Sequence, residues 1–144
     1  MKKADENSED LASIVREWIA LEDRTIASAE ELILNANNPF IQMRMEMVKH
    51  DSGKHKVMLQ WILDNLTREA THLTPDDVAP ISALLHKHIE VEARSIVLAN
   101  SALKKSRLRI VSYILSALLE DETKHHEQII QLDDEVKRAV YNVA

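Results

Sequence analysis

The chain contains few of the residues that end helices or form turns. Its 144 residues include one glycine, Gly53, and three prolines, at positions 39, 75 and 80. β-Sandwiches and barrels need many turn residues, so this composition argues against them. Hydrophobic residues make up 45% of the chain and aromatic residues only 3%, which indicates an aliphatic core like that of helix bundles. Because this length is typical of one domain, we expect residues 1–144 to form a single all-α domain.

The charge and the cysteine content exclude several functional classes. Lysine and arginine total 18 against 24 aspartates and glutamates, a formal net charge of −6, which argues against a nucleic-acid partner. The absence of cysteine excludes disulfides, thiolate metal sites, iron–sulfur clusters and thiol catalysis. The sequence has no apolar signal-peptide core and no stretch of about 18 apolar residues. We therefore expect a cytoplasmic protein with no membrane partner.

Four helices can be delimited from caps and breaks in the sequence. Residues 37–39, Asn-Asn-Pro, end the first helix, and a polar connector at 67–74 follows the second. Residues 74–77, Thr-Pro-Asp-Asp, form an N-cap with proline at the first helical position and acids in the first turn. Residues 104–106, Lys-Lys-Ser, are a weaker break, which either separates the last two helices or only kinks them. The predicted helices are 8–36, 40–65, 76–103 and 107–140.

Each predicted helix carries a seam of residues at alternating three- and four-residue spacing, as bundle helices do. The seams are apolar at both ends and polar near the middle. In the first half of the chain the polar positions are Glu22, Thr25, Ser52 and His55. In the second half they are His88, Glu92, Ser95, Glu122 and His125. This placement predicts one polar layer in a four-helix bundle.

An internal repeat marks the same level of the bundle. A shift of 70 residues aligns residues 11–64 with residues 81–134 without a gap and gives nine identities. The pattern Glu-x-Arg-[Thr/Ser]-Ile recurs in both halves and is followed in both by Asp-x-x-Lys-His. A duplicated helical hairpin explains this pattern most simply. Repeat 1 covers about 11–66 and repeat 2 about 81–136, and we expect both to point glutamate and histidine at one centre.

Five residues of the polar layer form a candidate metal site. They are Glu22, His55, Glu92, Glu122 and His125. A buried charge is costly unless it is paired or bound to a metal. The Glu-x-x-His spacing of the last two places a carboxylate and an imidazole on one helix face. Such ligands suit iron, manganese or zinc. The alternative is a hydrogen-bonded polar layer, or one structural ion, in a non-enzymatic interaction module.

At these positions the chain resembles the ferritin-like superfamily, and its rubrerythrin branch in particular. That pattern has a glutamate on helices one and three and Glu-x-x-His on helices two and four. Glu22, Glu92, Glu122 and the two histidines match it, whereas Ser52 stands where the family has a glutamate. The resemblance implies a di-iron-type oxidoreductase that acts on oxygen or peroxide, or a role in iron handling. Rubrerythrins also have a four-cysteine rubredoxin domain, which this chain lacks.

Four further positions are candidates for additional ligands or for residues that orient the ligands. His88 lies four residues before Glu92, where repeat 1 has Trp18, and it could replace the missing carboxylate or hydrogen-bond to Glu92. The others are Asp51, Asp121 and Ser52. The two aspartates lie four residues before the seam histidines and could orient their rings. As an alternative, they form ion pairs with nearby arginines or lysines.

A second apolar stripe lies beside the seam of the first helix. Ile19, Ile26 and Ile33 form it, and the third helix repeats it with Ile89, Ile96 and Leu103. A four-helix bundle needs one apolar seam per helix. The extra stripe indicates further buried surface, from which we expect a homodimer.

Overall fold

The computed structural model is all-helical and divides into two compact helical units, with the boundary between Thr71 and His72. It describes the backbone of residues 2–141 and, within that range, all side chains except those of 2–6, 75, 78, 136 and 139–141. Hairpin 1 contains α1 (Lys2–Asn35) and α2 (Pro39–Thr67). Hairpin 2 contains α3 (Ser82–Lys105) and α4 (Arg109–Tyr141). No strand occurs in residues 2–141, so the all-α class and the four helices are confirmed.

The turn between α1 and α2 is closed by local hydrogen bonds. The Asn38 side chain caps α2, since its Oδ1 accepts hydrogen bonds from the backbone N–H of Phe40 at 2.8 Å and of Ile41 at 3.3 Å. Pro39 occupies the first turn, where a missing N–H costs nothing. The Gln42 amide donates to the Ala36 carbonyl at 2.8 Å, which ties α2 to the end of α1. The predicted break at 37–39 is therefore confirmed.

The third helix starts later than the sequence predicts. Instead of one helix from residue 76, the chain forms a helical turn at Pro75–Val78, a 3₁₀ turn at Ala79–Ile81 and then α3 from Ser82. Pro80 explains the interruption, because proline has no N–H to donate and its ring clashes with the preceding turn of an α-helix. Thr74 caps the short turn, and its hydroxyl donates to Asp77 Oδ2 at 2.7 Å.

Helices α3 and α4 are separate helices rather than one kinked helix. Ser106 ends α3 with an extended backbone, and its N–H donates to the Ala102 carbonyl at 3.0 Å. Its hydroxyl oxygen accepts a hydrogen bond from the Ser112 hydroxyl at 2.8 Å, which ties the first turn of α4 to the break. The weaker break predicted at 104–106 therefore separates two helices, and the hairpin turn itself covers residues 106–108.

Hairpin 1 packs α1 against α2 through small and aliphatic side chains. Ala12, Val15, Ala29 and Leu59 are at most 4% exposed. Neighbouring positions on a helix differ by about 100° in direction. Residues next to the contact line therefore fall on one or the other of two opposite sides of the hairpin. The seam side carries Trp18, Leu21, Thr25, Val48 and His55. The reverse side carries Ile19, Ile26, Gly53, Val57 and Trp61.

No helix in the described part of the chain is both long enough and apolar enough to cross a membrane.

Candidate metal centre

Hairpin 2 brings three of the predicted metal ligands together. Glu92 of α3 and Glu122 and His125 of α4 each offer one ligand atom, and these atoms lie within 4.8 Å of one another. Residues three apart on a helix share a face, which places the Glu122 carboxyl and the His125 ring beside each other. The contact between α3 and α4 adds Glu92 from the opposite helix. Two carboxylates and one imidazole thus converge on one point.

The two carboxyl groups of this cluster interact strongly. A hydrogen bond with Glu122 lowers the pKa of Glu92, although burial opposes this effect. The charges of His125 and His88 lower the pKa further. The same hydrogen bond, together with burial and the Glu92 charge, raises the pKa of Glu122. A proton on the pair therefore resides on Glu122. When both groups are ionised, Glu92 Oε2 is buried and accepts no hydrogen bond from any described residue.

His88 contacts the cluster from its own helix. Its Nε2 lies 3.2 Å from Glu92 Oε1, one turn along α3. The His88 side chain is 52% exposed, whereas that of Glu92 is 12% exposed. His88 therefore holds one oxygen of Glu92 from the solvent side and leaves Oε2 directed elsewhere. The structure shows the contact between His88 and Glu92, and a ligand role for His88 stays a prediction.

Hairpin 1 places the equivalent residues in a different arrangement. Glu22 Oε1 accepts a hydrogen bond from the Trp18 indole N–H at 3.2 Å, and His55 Nδ1 lies 3.3 Å from the same oxygen. Ser52, which is 4% exposed, also hydrogen-bonds to this carboxylate. Burial opposes ionisation of Glu22, but the hydrogen bonds from Ser52 and Trp18 and the interaction with His55 lower its pKa. Glu22 is thus stabilised as an anion without a metal.

The two clusters share one geometric feature and differ in another. Trp18 and His88 are equivalent in the repeat, and each lies one turn before a glutamate and contacts it through a ring nitrogen. At the next equivalent pair, Ser52 donates a hydrogen bond to its glutamate, whereas Glu122 adds a second carboxyl group. Hairpin 1 therefore has a single satisfied anion, and hairpin 2 concentrates negative charge. Convergence of both clusters on one centre stays a prediction.

The two aspartates predicted as orienting residues lie at the surface. Asp51 forms an ion pair with Lys54 at 3.7 Å, and its side chain is 65% exposed. Asp121 is also exposed, and its negative charge contributes to the raised pKa of Glu122. Within the described residues neither aspartate is hydrogen-bonded to a histidine. Asp51 thus takes the ion-pair alternative.

Sequence analysis missed a polar cluster near the open end of hairpin 2. Asp133 is 5% exposed, and its carboxylate lies 2.9 Å from Lys137 Nζ and 3.3 Å from His86 Nε2. The hydrogen bond from Lys137 lowers the pKa of Asp133, although burial opposes this effect. The charges of Lys137 and His86 lower the pKa further. The sequence did contain a signal for it, because Asp133 lies four residues after Ile129 and therefore on the apolar face of α4.

The donor set in hairpin 2 fits a transition-metal ion. Carboxylates and an imidazole are ligands for iron, manganese and zinc. A bound cation would offset the negative charge of the two carboxylates, which is otherwise reduced by a proton on Glu122. No protein-family model, curated protein or solved structure matches the chain. The chemistry of the site is therefore inferred from its own geometry.

Proposed function

We propose that the protein is a ferritin-like metal-binding protein and that hairpin 2 holds a divalent transition-metal ion, iron in the first instance. The ligands are Glu92, Glu122 and His125. The observation that carries this proposal is the buried Glu92 Oε2, which lies beside a second carboxyl and an imidazole and has no hydrogen-bond donor among the described residues unless Glu122 is protonated. Such an oxygen is costly to bury unless a proton or a cation satisfies it.

Each residue of the cluster has a distinct part in this proposal. The two carboxylates supply negative charge, and His125 supplies a neutral nitrogen. His88 is a positioning residue, because its contact with Glu92 Oε1 leaves Oε2 available to an ion. A bound iron would supply redox chemistry toward oxygen or peroxide, or a place for iron in transit. Manganese and zinc accept the same donors and remain alternatives.

A second candidate function is supported by hairpin 1. There the Glu22 anion is satisfied by Trp18, Ser52 and His55 without any ion. Hairpin 2 would match this arrangement if the proton on Glu122 satisfied Glu92. The protein would then be a helical interaction module with a structural polar layer. The two functions differ in one measurable property, which is the metal content of the hairpin 2 cluster.

Metal analysis of protein purified without chelator tests this proposal. We expect about one iron, manganese or zinc ion per chain in the wild type and loss of that ion in Glu92→Gln, which keeps the shape but removes the charge. Glu90→Gln is the matched control, since Glu90 is an exposed glutamate on the same helix, and it should keep the ion. A wild type that carries no metal and takes up none of the three in titrations would establish the structural-layer alternative.

A further inference from the structure

The reverse side of hairpin 1 is an open apolar groove between α1 and α2. Ile19 and Ile26 form its α1 wall. Along α2 lie Gly53, Val57 and Trp61, together with the polar side chains of Lys56, Gln60 and Asp64. Val57 is 71% exposed and Trp61 57% exposed. Large apolar side chains left in water at adjacent positions mark a surface that another molecule covers.

Nothing in the described part of the chain requires a glycine at position 53. It lies inside α2, where glycine is a poor helix former. Its backbone does not need glycine, because no described residue has a positive φ. A Cβ built on Gly53 would meet no described atom within 4 Å. An alanine would therefore fit in the isolated chain and would favour the helix. The missing side chain leaves a hole in the floor of the groove.

The repeat provides an internal comparison for this face. The residues of hairpin 2 that correspond to Gly53, Val57 and Trp61 are Thr123, Glu127 and Gln131. All three are exposed and polar, as expected for a face in contact with water. The hairpin architecture thus does not require apolar residues at these positions. Their presence in hairpin 1 alone indicates a function specific to that face.

Both sides of hairpin 1 carry exposed apolar side chains. The seam side is also partly apolar, with Trp18 52% exposed and Leu21 50% exposed. The exposed apolar side chains of the reverse side are therefore not covered by hairpin 1 itself.

We propose that the reverse side of hairpin 1 binds the same side of a second copy of this chain, with the two α2 helices antiparallel. Gly53 and Trp61 lie four residues on either side of Val57. A two-fold axis at Val57 therefore places the Trp61 indole of each copy over the Gly53 hole of the other. One chain thus carries both the projecting group and the hole, as an isologous interface requires.

The charges along α2 favour the same pairing. An axis at Val57 brings Asp64 of one copy to the level of His50 of the other, because both are seven residues from the axis. Lys54 lies one turn further along and is paired with Asp51 of its own helix, so the His50 ring is the group that would face Asp64. A parallel arrangement would instead place Asp64 against Asp64. This dimer does not depend on metal binding.

Cysteine cross-linking tests the position of the axis, since the chain contains no cysteine of its own. We expect Val57→Cys to give a covalent dimer rapidly on mild oxidation, because the two thiols would face each other at the axis. Glu127→Cys, the repeat-equivalent position on hairpin 2, is the matched control and should cross-link at least tenfold more slowly. Equal rates for the two variants would overturn the proposed interface.

Side-chain volume tests the hole directly. Sedimentation should show a wild-type dimer, and Gly53→Leu and Trp61→Gln should each raise its dissociation constant at least tenfold. Thr123→Leu, the equivalent change on hairpin 2, should leave the dimer unaffected. Gly53→Leu should also raise the helix content or melting temperature of the monomer, which separates lost association from misfolding. A monomeric wild type at 100 μM protein (roughly the upper end of such assays), or a dimer insensitive to both changes, would refute the proposal.

Discussion

Removal of one histidine from each half of the repeat should have unequal effects on metal binding. His55 and His125 are equivalent in sequence, but only His125 lies in the cluster with two carboxyl groups. His55 contacts Glu22, which Trp18 and Ser52 already satisfy. We expect His125→Ala to abolish most of the stabilisation by added Fe(II) or Mn(II), and His55→Ala to keep it.

The size of the effect follows from mass action. An ion present at 100 times its dissociation constant stabilises the folded state by about 2.7 kcal/mol. For a chain of this size that corresponds to an increase in melting temperature of about 5–11 °C. Loss of a residue that only supports a ligand costs about 10–100-fold in affinity, and loss of one of three ligands should cost at least as much. A 100-fold weaker site would retain about 0.4 kcal/mol, or about 1–2 °C.

The assay is a thermal melt of each variant with and without the metal. The difference between the two melts removes the effect of each substitution on the apo protein. Wild type and His55→Ala should show the full metal-induced increase in melting temperature, and His125→Ala only a small part of it. Equal losses in the two histidine variants would refute the inference that hairpin 2 alone holds the ion.

Three other predictions concern single positions. Ser52→Glu restores Glu-x-x-His on α2 and should raise metal content from about one ion per chain toward two. The larger side chain at this buried site costs about 1–3 kcal/mol of stability. An unchanged metal content would mean that this spacing alone does not make a site. Asp133→Asn should cost about 1.5–3 kcal/mol in urea unfolding at pH 7, against at most about 0.5 for the exposed Asp134→Asn. The lowered pKa of Asp133 means that its ionised form adds stability above the usual value of 3.8, and this stability is lost as pH falls through the lowered value. The difference between wild type and Asp133→Asn should therefore shrink in acid, and a constant difference would contradict the ion pair with Lys137.

The helices were predictable from the sequence wherever local contacts determine their ends. Asn38 and Pro39 provide a cap and a first-turn residue within three positions, and α2 begins there. The predicted start of the first helix at residue 8 was late, because the polar segment before it has no apolar periodicity, yet it is helical from Lys2. The error at Pro80 arose because an N-cap signal at Thr74 was extended through a proline. Helix ends depend on the residues on both sides of a boundary.

The hairpin 2 cluster was predictable in part because its spacing is local. Glu122 and His125 share a face of α4 by helix geometry alone, and the repeat, which pairs Glu92 with Glu22 and His125 with His55, placed Glu92 at the same level. Asp133 was not predictable in this way, because His86 lies on the other helix and their contact depends on how α3 packs against α4. Periodicity identifies which residues share a face, but a pair across two helices also requires the register between them.

The contrast between the two hairpins shows how one position determines the chemistry of a buried carboxylate. Both hairpins hold a glutamate against the opposing helix, and in both a ring nitrogen contacts it from four residues earlier. At the equivalent position of the second helix, the Ser52 hydroxyl donates a hydrogen bond to Glu22 and helps to lower its pKa. Glu122 has no such proton when ionised, and its own pKa is raised by Glu92. Because an added donor favours a lone anion and an added carboxylate disfavours it, a cation has more to gain at Glu92 than at Glu22.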